Sequence, residues 1–526
     1  MSIRGKIAAA AVMLLATLLA SCATLPEREQ GSFPLEWPGI PAPSAAAAWV
    51  PPGYRVELVA SDLTYPTSIA FDDRGNTYVA EAGYAYGDPI APAQILRLSP
   101  GGVRTVVASQ RQGLQGPIND IMWYRGYLYI SHKGKISRLE PTGRIRDLVD
   151  GLPVSGDHQN NQMSVGPDGW IYFGLGTVTN SGIVGLDNVI PFLWLTMWPG
   201  LHDVPAKDIV LTGETVLSPH VNNVAAKQGQ LVALAPILGQ FLASVVVPEH
   251  PGSLLARTGA YQPFGQSGAL VIPGQTKSSG TILRMSPDGS QLEVYAWGLR
   301  NPFGVRWAGG RLFASDNAYD ERGPRPIANA PDVIWEIRPD GWYGWPDYAA
   351  GIPVTDPRFR STRGPAPTFL MAAHPPVEQP LLTRPKHSGV TKFDFSRSAG
   401  FGYRGQMFLG EVGAGAPINA PGIVPAGYQV ARIDLATGEA APFFRAREEA
   451  LGPPGPFQYV LTRGPKRPVD VRFSPSGDAL YVVDVGAITA LPAGAGPMAQ
   501  AFPKTGAVWR ITRGRPAVVQ KVVIEK

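Results

Sequence analysis

The sequence of 526 residues contains a single cysteine, Cys22. One cysteine excludes an internal disulfide, a thiolate metal site and a haem attached through a Cys-x-x-Cys-His motif. Charged residues are scattered along the chain and make up only 17% of it, whereas a nucleic-acid groove requires clustered basic residues. We therefore read the net charge of +5 as a mildly basic solvated surface and expect no nucleic-acid partner.

The first apolar stretch of the chain is short. Two basic residues precede it, and it covers residues 7–20, which is typical of a secretory signal and too short for a typical membrane-spanning helix. The following Leu19-Ala-Ser-Cys22 is similar to the cleavage box of bacterial lipoproteins; an ordinary signal peptide that happens to contain a cysteine is the alternative. We expect residues 1–22 to be a lipoprotein signal peptide and residues 23–52 to be a tether. Cys22 would then carry the lipid, and the protein would be exported and anchored to a bacterial membrane, in the periplasm or at the cell surface.

Glycine and proline are abundant, with 61 and 53 residues, which is typical of many turns between short strands rather than of long helices. Six units share one pattern: a strand, a Gly-containing turn, a second strand that ends in small or acidic residues, and a third strand that an outer strand often follows. Self-similar units of this kind predict a β-propeller. We expect an all-β, six-bladed β-propeller over residues 53–526, with residues 54–58 closing the ring as the outer strand of blade six.

One insertion, residues 180–277, interrupts the third unit. It contains an uncharged run over residues 230–247, which is a little short for a membrane span and includes Pro236 and Gly239. We expect a partly helical cap with its own small core in the third blade. A lid or a membrane-facing patch beside the active site is the alternative.

The loops that precede the innermost strands of a propeller meet at one end of its central channel. We call them approach loops. Their polar residues are Gln115 in blade two, Asp157, His158 and Gln159 in blade three, Arg300 and Asn301 in blade four, Lys386, His387 and Ser388 in blade five, and Lys466 and Arg467 in blade six. A His beside a carboxylate, with cations and amides nearby, suits proton abstraction beside an anionic ligand. Each residue taken alone is equally well explained as a satisfied polar group in a turn.

Four sets of motifs stand in and around these loops. They are Gly156-Asp-His-Gln with Gly166-Pro-Asp-Gly-Trp-Ile-Tyr-Phe, Gly298-Leu-Arg-Asn-Pro-Phe-Gly, Gly341-Trp-Tyr-Gly-Trp-Pro, and Arg467-Pro-Val-Asp-Val with Ser474-Pro-Ser-Gly. In these motifs the chain resembles the glucose/sorbosone dehydrogenase family, typified by the soluble PQQ-dependent glucose dehydrogenases. The resemblance covers about residues 53–515 apart from the insertion.

The resemblance implies a six-bladed propeller that holds PQQ at the channel mouth, with Ca²⁺ bridging the cofactor. His158 would take the substrate hydroxyl proton, Asp157 would orient His158, and Arg300 would stabilise negative charge on the quinone oxygen. The implied cofactor-binding residues are Gln115, Asn301, Asn317, Lys466 and Arg467, and the implied metal-binding residues are Asp316, Ala318 and Tyr319. The resemblance thus implies a PQQ-dependent oxidoreductase that acts on the CH–OH group of a sugar or related alcohol or aldehyde. Because the sequence has no haem-attachment motif, we expect the electrons to leave to a separate soluble carrier or a membrane quinone.

The chain departs from the family pattern at several positions. Asp316-Asn-Ala-Tyr319 stands where the glucose enzymes have Glu-Gln-Gly-Pro, and Glu411-Val-Gly413 stands where blade five would offer a Lys. Of two expected Arg residues in blade six, only Arg467 is present. These changes leave two alternatives open: a non-catalytic binding propeller that has lost the cofactor, and a metal-dependent propeller hydrolase or lactonase.

Overall fold

The structure is a computed structural model that describes residues 39–85, 88–89, 92–99, 103–188, 194–219, 255–414, 426–453, 458–490 and 499–514. The predictions for the signal peptide, for Cys22 and for the uncharged run over residues 230–247 lie outside these residues. Within the described part of the chain, no helix is long and apolar enough to cross a membrane.

Six antiparallel sheets form the predicted propeller, and each contributes four strands to the ring. From the innermost strand outwards, the blades are Pro66–Phe71, Thr77–Glu81, Gln94–Leu98 and Arg104–Ser109; Ile118–Tyr124, Tyr127–His132, Lys135–Leu139 and Ile145–Val149; Asn160–Val165, Ile171–Leu175, Thr281–Met285 and Leu292–Trp297; Pro302–Ala308, Arg311–Asp316, Asp332–Ile337 and Leu382–Arg384; Val390–Phe395, Met407–Glu411, Gln429–Ile433 and Ala440–Ala446; and Pro468–Phe473, Ala479–Asp484, Gly506–Arg513 and Tyr54–Leu63. The innermost strands of neighbouring blades contact each other around the whole ring.

The ring closes as predicted, because Tyr54–Leu63 pairs with Gly506–Arg513 as the outer strand of blade six. This outer strand alternates between exposed and partly buried residues over most of its length, as expected for a strand with one solvated face. Ala48–Trp49, inside the segment predicted as a tether, pairs with Ala440–Ala446 and gives blade five a fifth strand. The end of the predicted tether is therefore part of the sheet structure.

The core of the molecule lies between neighbouring blades. Between blades five and six, for example, Phe401 and Phe473 meet edge to face at 4.9 Å, and Phe408 and Phe473 do so at 5.4 Å. Edge-to-face pairs of this kind add to the free energy gained by burying the rings. The blades are thus held together by apolar side chains on both faces of each sheet.

Charged side chains on the innermost strands form a buried network at the centre of the ring. Lys392, on the innermost strand of blade five, is fully buried and donates a hydrogen bond to the Thr67 carbonyl oxygen at 2.7 Å. Its Nζ lies 3.4 Å from Asp120, and Arg472 contacts both Asp120 and Asp470. Buried charges are tolerated when they are paired and hydrogen-bonded, as these are. This network links blades one, two, five and six within the channel.

The described part of the insertion is mixed rather than mainly helical. It contains a 3₁₀ helix over Leu186–Asn188, a short α-helix over Trp194–Met197, and two strand pairs, Ile209–Val210 with Val271–Ile272 and Thr215–Pro219 with Leu255–Gly259. Tyr261 of the insertion packs on Trp345, in the connection between the third and outer strands of blade four, with ring centroids 5.7 Å apart. The insertion therefore packs against the loops at one end of the propeller.

A carboxylate at the end of the second strand holds the approach loop of blade four. Asp316 accepts hydrogen bonds from the backbone N–H groups of Arg300 and Asn301, at 3.2 and 2.6 Å. Directly after this loop, Pro302 lies opposite Asp316 in the strand register, and a bulge follows. Because the loop leaves the ladder at this point, its N–H groups need another acceptor, and the carboxylate supplies it.

Blades six and one repeat this arrangement. In blade six, Asp484 accepts hydrogen bonds from the N–H groups of Lys466 and Arg467, at 2.7 and 2.9 Å, and lies opposite Pro468. In blade one, Glu81 lies opposite Pro66 and accepts a hydrogen bond from the backbone N–H of Thr64. In blades one, four and six, the acidic residue that ends the second strand is therefore an acceptor for the approach loop.

Replacing Asp484 with Ala should lower the free energy of unfolding by about 3 kcal/mol, because three buried backbone N–H groups lose their acceptor. Urea unfolding followed by tryptophan fluorescence measures this change. The matched control is the exposed Asp478→Ala, which should change stability by about 0.5 kcal/mol or less. Equal stability of the two variants would contradict the proposed role of Asp484.

Candidate active site

His158 is the predicted base, and the structure fixes its orientation through Thr177. Nδ1 of His158 lies 2.8 Å from the Thr177 carbonyl oxygen and 3.2 Å from Thr177 Oγ1. Because a carbonyl oxygen can only accept, the proton resides on Nδ1 and Nε2 keeps its lone pair. Nε2 makes no hydrogen bond with any residue that the structure describes. Burial, and then the positive charge of Arg300, hold the pKa of His158 well below its usual value, so that the ring is neutral near pH 7.

Asp157 does not orient His158, contrary to our expectation. Its carboxylate lies 2.6 Å from Arg322 and accepts hydrogen bonds from Asn188 at 3.1 Å and Trp194 at 2.8 Å. Asp157 lies in a bend, and its side chain contacts Asn188 and Trp194 of the insertion while the ring of His158 faces Thr177. Its role in the structure is to fasten the approach loop of blade three to the insertion.

Arg300 is almost completely buried, at 4% exposure, and its guanidinium group is fixed on several sides. It pairs with Asp320 at 3.0 Å, and it donates to the side-chain oxygen of Asn180 at 2.8 Å and to the Asn180 carbonyl at 3.2 Å. Asn180 in turn bonds the backbone N–H and carbonyl of Asp320. Arg300 is thus preorganised before any ligand binds.

Arg322 joins three carboxylates from three parts of the chain. It lies 2.6 Å from Asp157, 2.5 Å from Asp187 and 3.0 Å from Asp320. Burial raises the pKa of Asp187 to about 6. We did not predict this network, whose members are separated by up to 165 residues along the chain.

The amides of Asn301 and Asn317 form a hydrogen-bonded chain across three blades. Asn161 donates to Asn301 at 2.8 Å, Asn301 donates to Asn317 at 2.9 Å, and Asn317 donates to the Val390 carbonyl at 2.7 Å. Both residues were predicted to bind a cofactor. Their side chains already have partners, and they hold blades three, four and five in a fixed relation at the channel.

Gly176 allows His158 and Asn301 to approach each other. A Cβ atom at Gly176 would lie 2.4 Å from the Cβ of His158 and 2.7 Å from the side-chain oxygen of Asn301. No other residue type fits between these two side chains. The structure therefore confirms that the approach loops of blades three and four meet.

The predicted metal residues divide into two kinds. The Asp316 carboxylate is used by backbone N–H groups and by Trp335 at 3.2 Å, and burial raises its pKa to about 6. Its side chain has the role of Asp484 and is not free for a metal ion. The carbonyl oxygens of Ala318 and Tyr319, by contrast, accept no hydrogen bond from the described residues. Such oxygens are suitable ligands for Ca²⁺. No group of three or more His, Cys, Asp or Glu side chains in the described ranges could hold a metal ion.

The two blade-six cations predicted to bind the cofactor donate hydrogen bonds to main-chain carbonyls. Lys466 Nζ donates to the Thr462 carbonyl at 2.7 Å, and Arg467 donates to the Val412 carbonyl at 2.7 Å. Gln115 is exposed, and its backbone contacts His132. No hydrogen bond among the described residues joins Lys466, Arg467 or Gln115 to His158 or Arg300.

Asp203, from the insertion, holds the segment that orients both His158 and Arg300. It is 1% exposed and accepts hydrogen bonds from the backbone N–H of Val178 at 2.6 Å and from the Thr179 hydroxyl at 2.5 Å. Residues 177–180 thus carry the His158 acceptor at one end and the Arg300 acceptor at the other. The polar sequence Thr177-Val-Thr-Asn180 directly after a buried strand is the signal that sequence reasoning missed.

The residues around His158 fit the reactive part of a quinone cofactor with a divalent cation. They offer a neutral imidazole with an open nitrogen, a fixed guanidinium group and two open carbonyl oxygens. The carboxylates of PQQ fit less well, because the two cations predicted to pair with them donate to main-chain carbonyls instead.

No protein-family model matches the chain, and no curated protein sequence matches it. Solved structures match its fold. The holo form of the pyranose dehydrogenase PQQ domain from Coprinopsis cinerea is 17% identical at a TM-score of 0.51, with 90% of this chain and 99% of that one covered. A Trichoderma reesei member of carbohydrate-active enzymes family AA12 is 14% identical at a TM-score of 0.50, with 91% and 100% covered. At these identities the likeness establishes a shared propeller fold, which agrees with the fold that the sequence motifs implied.

The stability of this site should depend on pH through Asp203. Burial raises the pKa of Asp203 to about 7 in the folded protein, against about 4 when unfolded. The folded state therefore binds the proton more tightly, and stability is lost as the pH rises through this range. As the pH rises from about 5 to about 8, we expect the melting temperature of Asp203→Asn to fall less than that of the wild type. Melting temperatures across this range measure the difference, with Asp478→Asn as the exposed control, and parallel curves for Asp203→Asn and wild type would contradict it.

Proposed function

We propose that the protein is an oxidoreductase that oxidises the CH–OH group of a sugar or related alcohol, with PQQ as its cofactor and Ca²⁺ beside the cofactor. The observation that carries this proposal is the state of His158. Its Nδ1–H is held by a main-chain carbonyl, and its Nε2 is open next to the fixed guanidinium group of Arg300. A neutral imidazole in this state is suited to accept the proton of a substrate hydroxyl.

His158 and Thr177 act together when the proton is transferred. Nε2 accepts the hydroxyl proton, and the imidazolium that forms keeps its Nδ1–H hydrogen bond to the Thr177 carbonyl oxygen. Arg300 opposes this charge, whereas Asp320 favours it, as their opposite effects on the pKa of His158 indicate. The balance keeps His158 neutral, and so ready to act, before substrate binds.

PQQ supplies the acceptor for the hydride that leaves the carbon. Arg300 would bind a quinone oxygen, since its position is fixed in advance and needs little reorganisation when charge develops there. The carbonyl oxygens of Ala318 and Tyr319 would hold Ca²⁺. The choice of cofactor and of a sugar substrate is supported by the shared fold with a pyranose dehydrogenase PQQ domain, which is an argument by analogy.

A propeller that binds a ligand without redox chemistry is the second candidate. It is favoured by the hydrogen bonds of Lys466 and Arg467 to main-chain carbonyls, since these cations were expected to pair with the cofactor.

We further propose that the protein is exported with a lipid on Cys22 and passes its electrons to a separate acceptor. The N-terminal sequence supports the first part of this proposal, and the lack of a haem motif supports the second.

Calorimetric titration of the metal-stripped protein with PQQ separates the two candidates. We expect PQQ to bind only when Ca²⁺ is present, and Arg300→Met to weaken binding about 10-fold or more because a charge-assisted hydrogen bond is lost. Arg338→Met is the matched control, since its side chain is exposed. A folded protein that fails to bind PQQ in the presence of Ca²⁺ would contradict the quinoprotein proposal and favour the binding propeller.

Replacing His158 with Gln should reduce kcat by about 10³-fold or more while PQQ affinity changes little, because the open Nε2 is lost. Turnover of the PQQ-loaded protein is measured on a panel of sugars with an artificial electron acceptor. His202→Gln serves as the control, because this imidazole bonds only to the carbonyl of Gly200 in its own turn. Turnover by His158→Gln at the wild-type rate would rule out the proposed base.

A further inference from the structure

His387 differs from the other histidines that the structure describes. His132, His158, His202 and His374 each make hydrogen bonds with protein groups. His387 is only 8% exposed, yet it makes no hydrogen bond with any described residue. It lies in the approach loop of blade five, the position that holds Arg300 and Asn301 in blade four.

The ring nitrogens of His387 reach solvent although most of the residue is buried. They have no hydrogen-bond partner among the described residues, yet they are not among the enclosed atoms that lack one. Most polar groups of buried side chains are paired within the protein. His132 shows how a structural imidazole is satisfied in this chain, with one ring nitrogen at 2.8 Å from Ser137 and the other beside the Gln115 backbone. The ring nitrogens of His387 lack such partners and are left for a ligand.

The loop that carries His387 is linked through Asp332 to Ala318, one of the candidate metal ligands. One oxygen of Asp332 accepts hydrogen bonds from the Ser388 hydroxyl at 2.8 Å and the Gly389 N–H at 2.7 Å. The other oxygen accepts from the Ala318 N–H at 2.8 Å. A single buried carboxylate therefore fixes His387 relative to Ala318, whose open carbonyl lies in the site.

The backbone of His387 agrees with a functional position. Its φ angle of 58° lies in the left-handed region, which non-glycine residues adopt at a cost of about 1–3 kcal/mol and often at binding sites. The hydrogen bonds of Asp332 to the next two residues hold the loop in this conformation. The side chain of this residue has ring nitrogens that make no hydrogen bond with the described residues.

We propose that His387 is a second imidazole of the site that contacts the bound ligand, through a hydrogen bond from its ring to a negatively charged or carbonyl-type oxygen. This inference rests on the proposed oxidoreductase function and adds to it. The ligand would lie between His158 on blade three and His387 on blade five, with Arg300 on blade four. The oxygen belongs either to the quinone cofactor or to the sugar, and the experiment distinguishes these two sources.

The variant His387→Asn tests the proposal with little change to the backbone, because Asn tolerates the left-handed region well. PQQ affinity is measured by calorimetry in the presence of Ca²⁺, and KM and kcat for a sugar are measured on the loaded protein. If the oxygen belongs to the cofactor, PQQ affinity falls about 10-fold or more; if it belongs to the sugar, PQQ affinity is unchanged and KM rises by a similar factor. The control His202→Asn should change neither.

Unchanged PQQ affinity and unchanged KM in His387→Asn would overturn the inference while leaving the proposed function intact. Failure of the wild type to bind PQQ would overturn the proposed function and, with it, the inference. A measurement on the wild type covers a variant that folds poorly: the ¹³Cε1 resonance of His387 should shift on addition of PQQ or of sugar. A His387 resonance that responds to neither would overturn the inference.

Discussion

The active end of this propeller depends on acceptors for backbone N–H groups. An approach loop that leaves the sheet at a proline has N–H groups that the strand ladder no longer uses, and burial makes them costly unless they are paired. Asp316 and Asp484 supply the acceptors from the second strand of the same blade. Because each of these blades holds its own loop, the backbone position of Arg300 is set within blade four, and its guanidinium group then meets Asn180 from outside the blade.

A second constraint comes from residues 177–180, where propeller and insertion meet. This segment offers a carbonyl to His158 and an amide to Arg300, and Asp203 of the insertion holds it from behind. The insertion therefore helps to orient His158 and Arg300 through this segment. The buried charges around Arg322 serve the same purpose, since they fix loops from blades three and four to the insertion.

The sequence was sufficient for the fold, because turns, strand lengths and the six-fold repeat are local features. It also identified the approach loops, and Gly176 now shows that those of His158 and Asn301 meet. The partners of individual side chains could not be predicted. The side chain of Asp157 contacts the insertion and not its neighbour His158. The ion pairs of Arg322 join residues far apart in the chain, and local sequence patterns carry no signal for such pairs. The role of Asp316 could have been recognised, because an acid also lies opposite a proline in two other blades.

The pairing of Tyr54–Leu63 with Gly506–Arg513 also constrains how the protein folds. It joins strands more than 440 residues apart, so the contact that closes the ring has a very high sequence separation. Contacts of this kind form late and slowly, because the entropy of closing a long loop is lost before the contact is gained. Blade six can be completed only after the last strand has been synthesised, whereas blades one to four have all their strands much earlier. Until then the N-terminal strand is an unpaired edge that can pair with another sheet, which is a hazard of this topology.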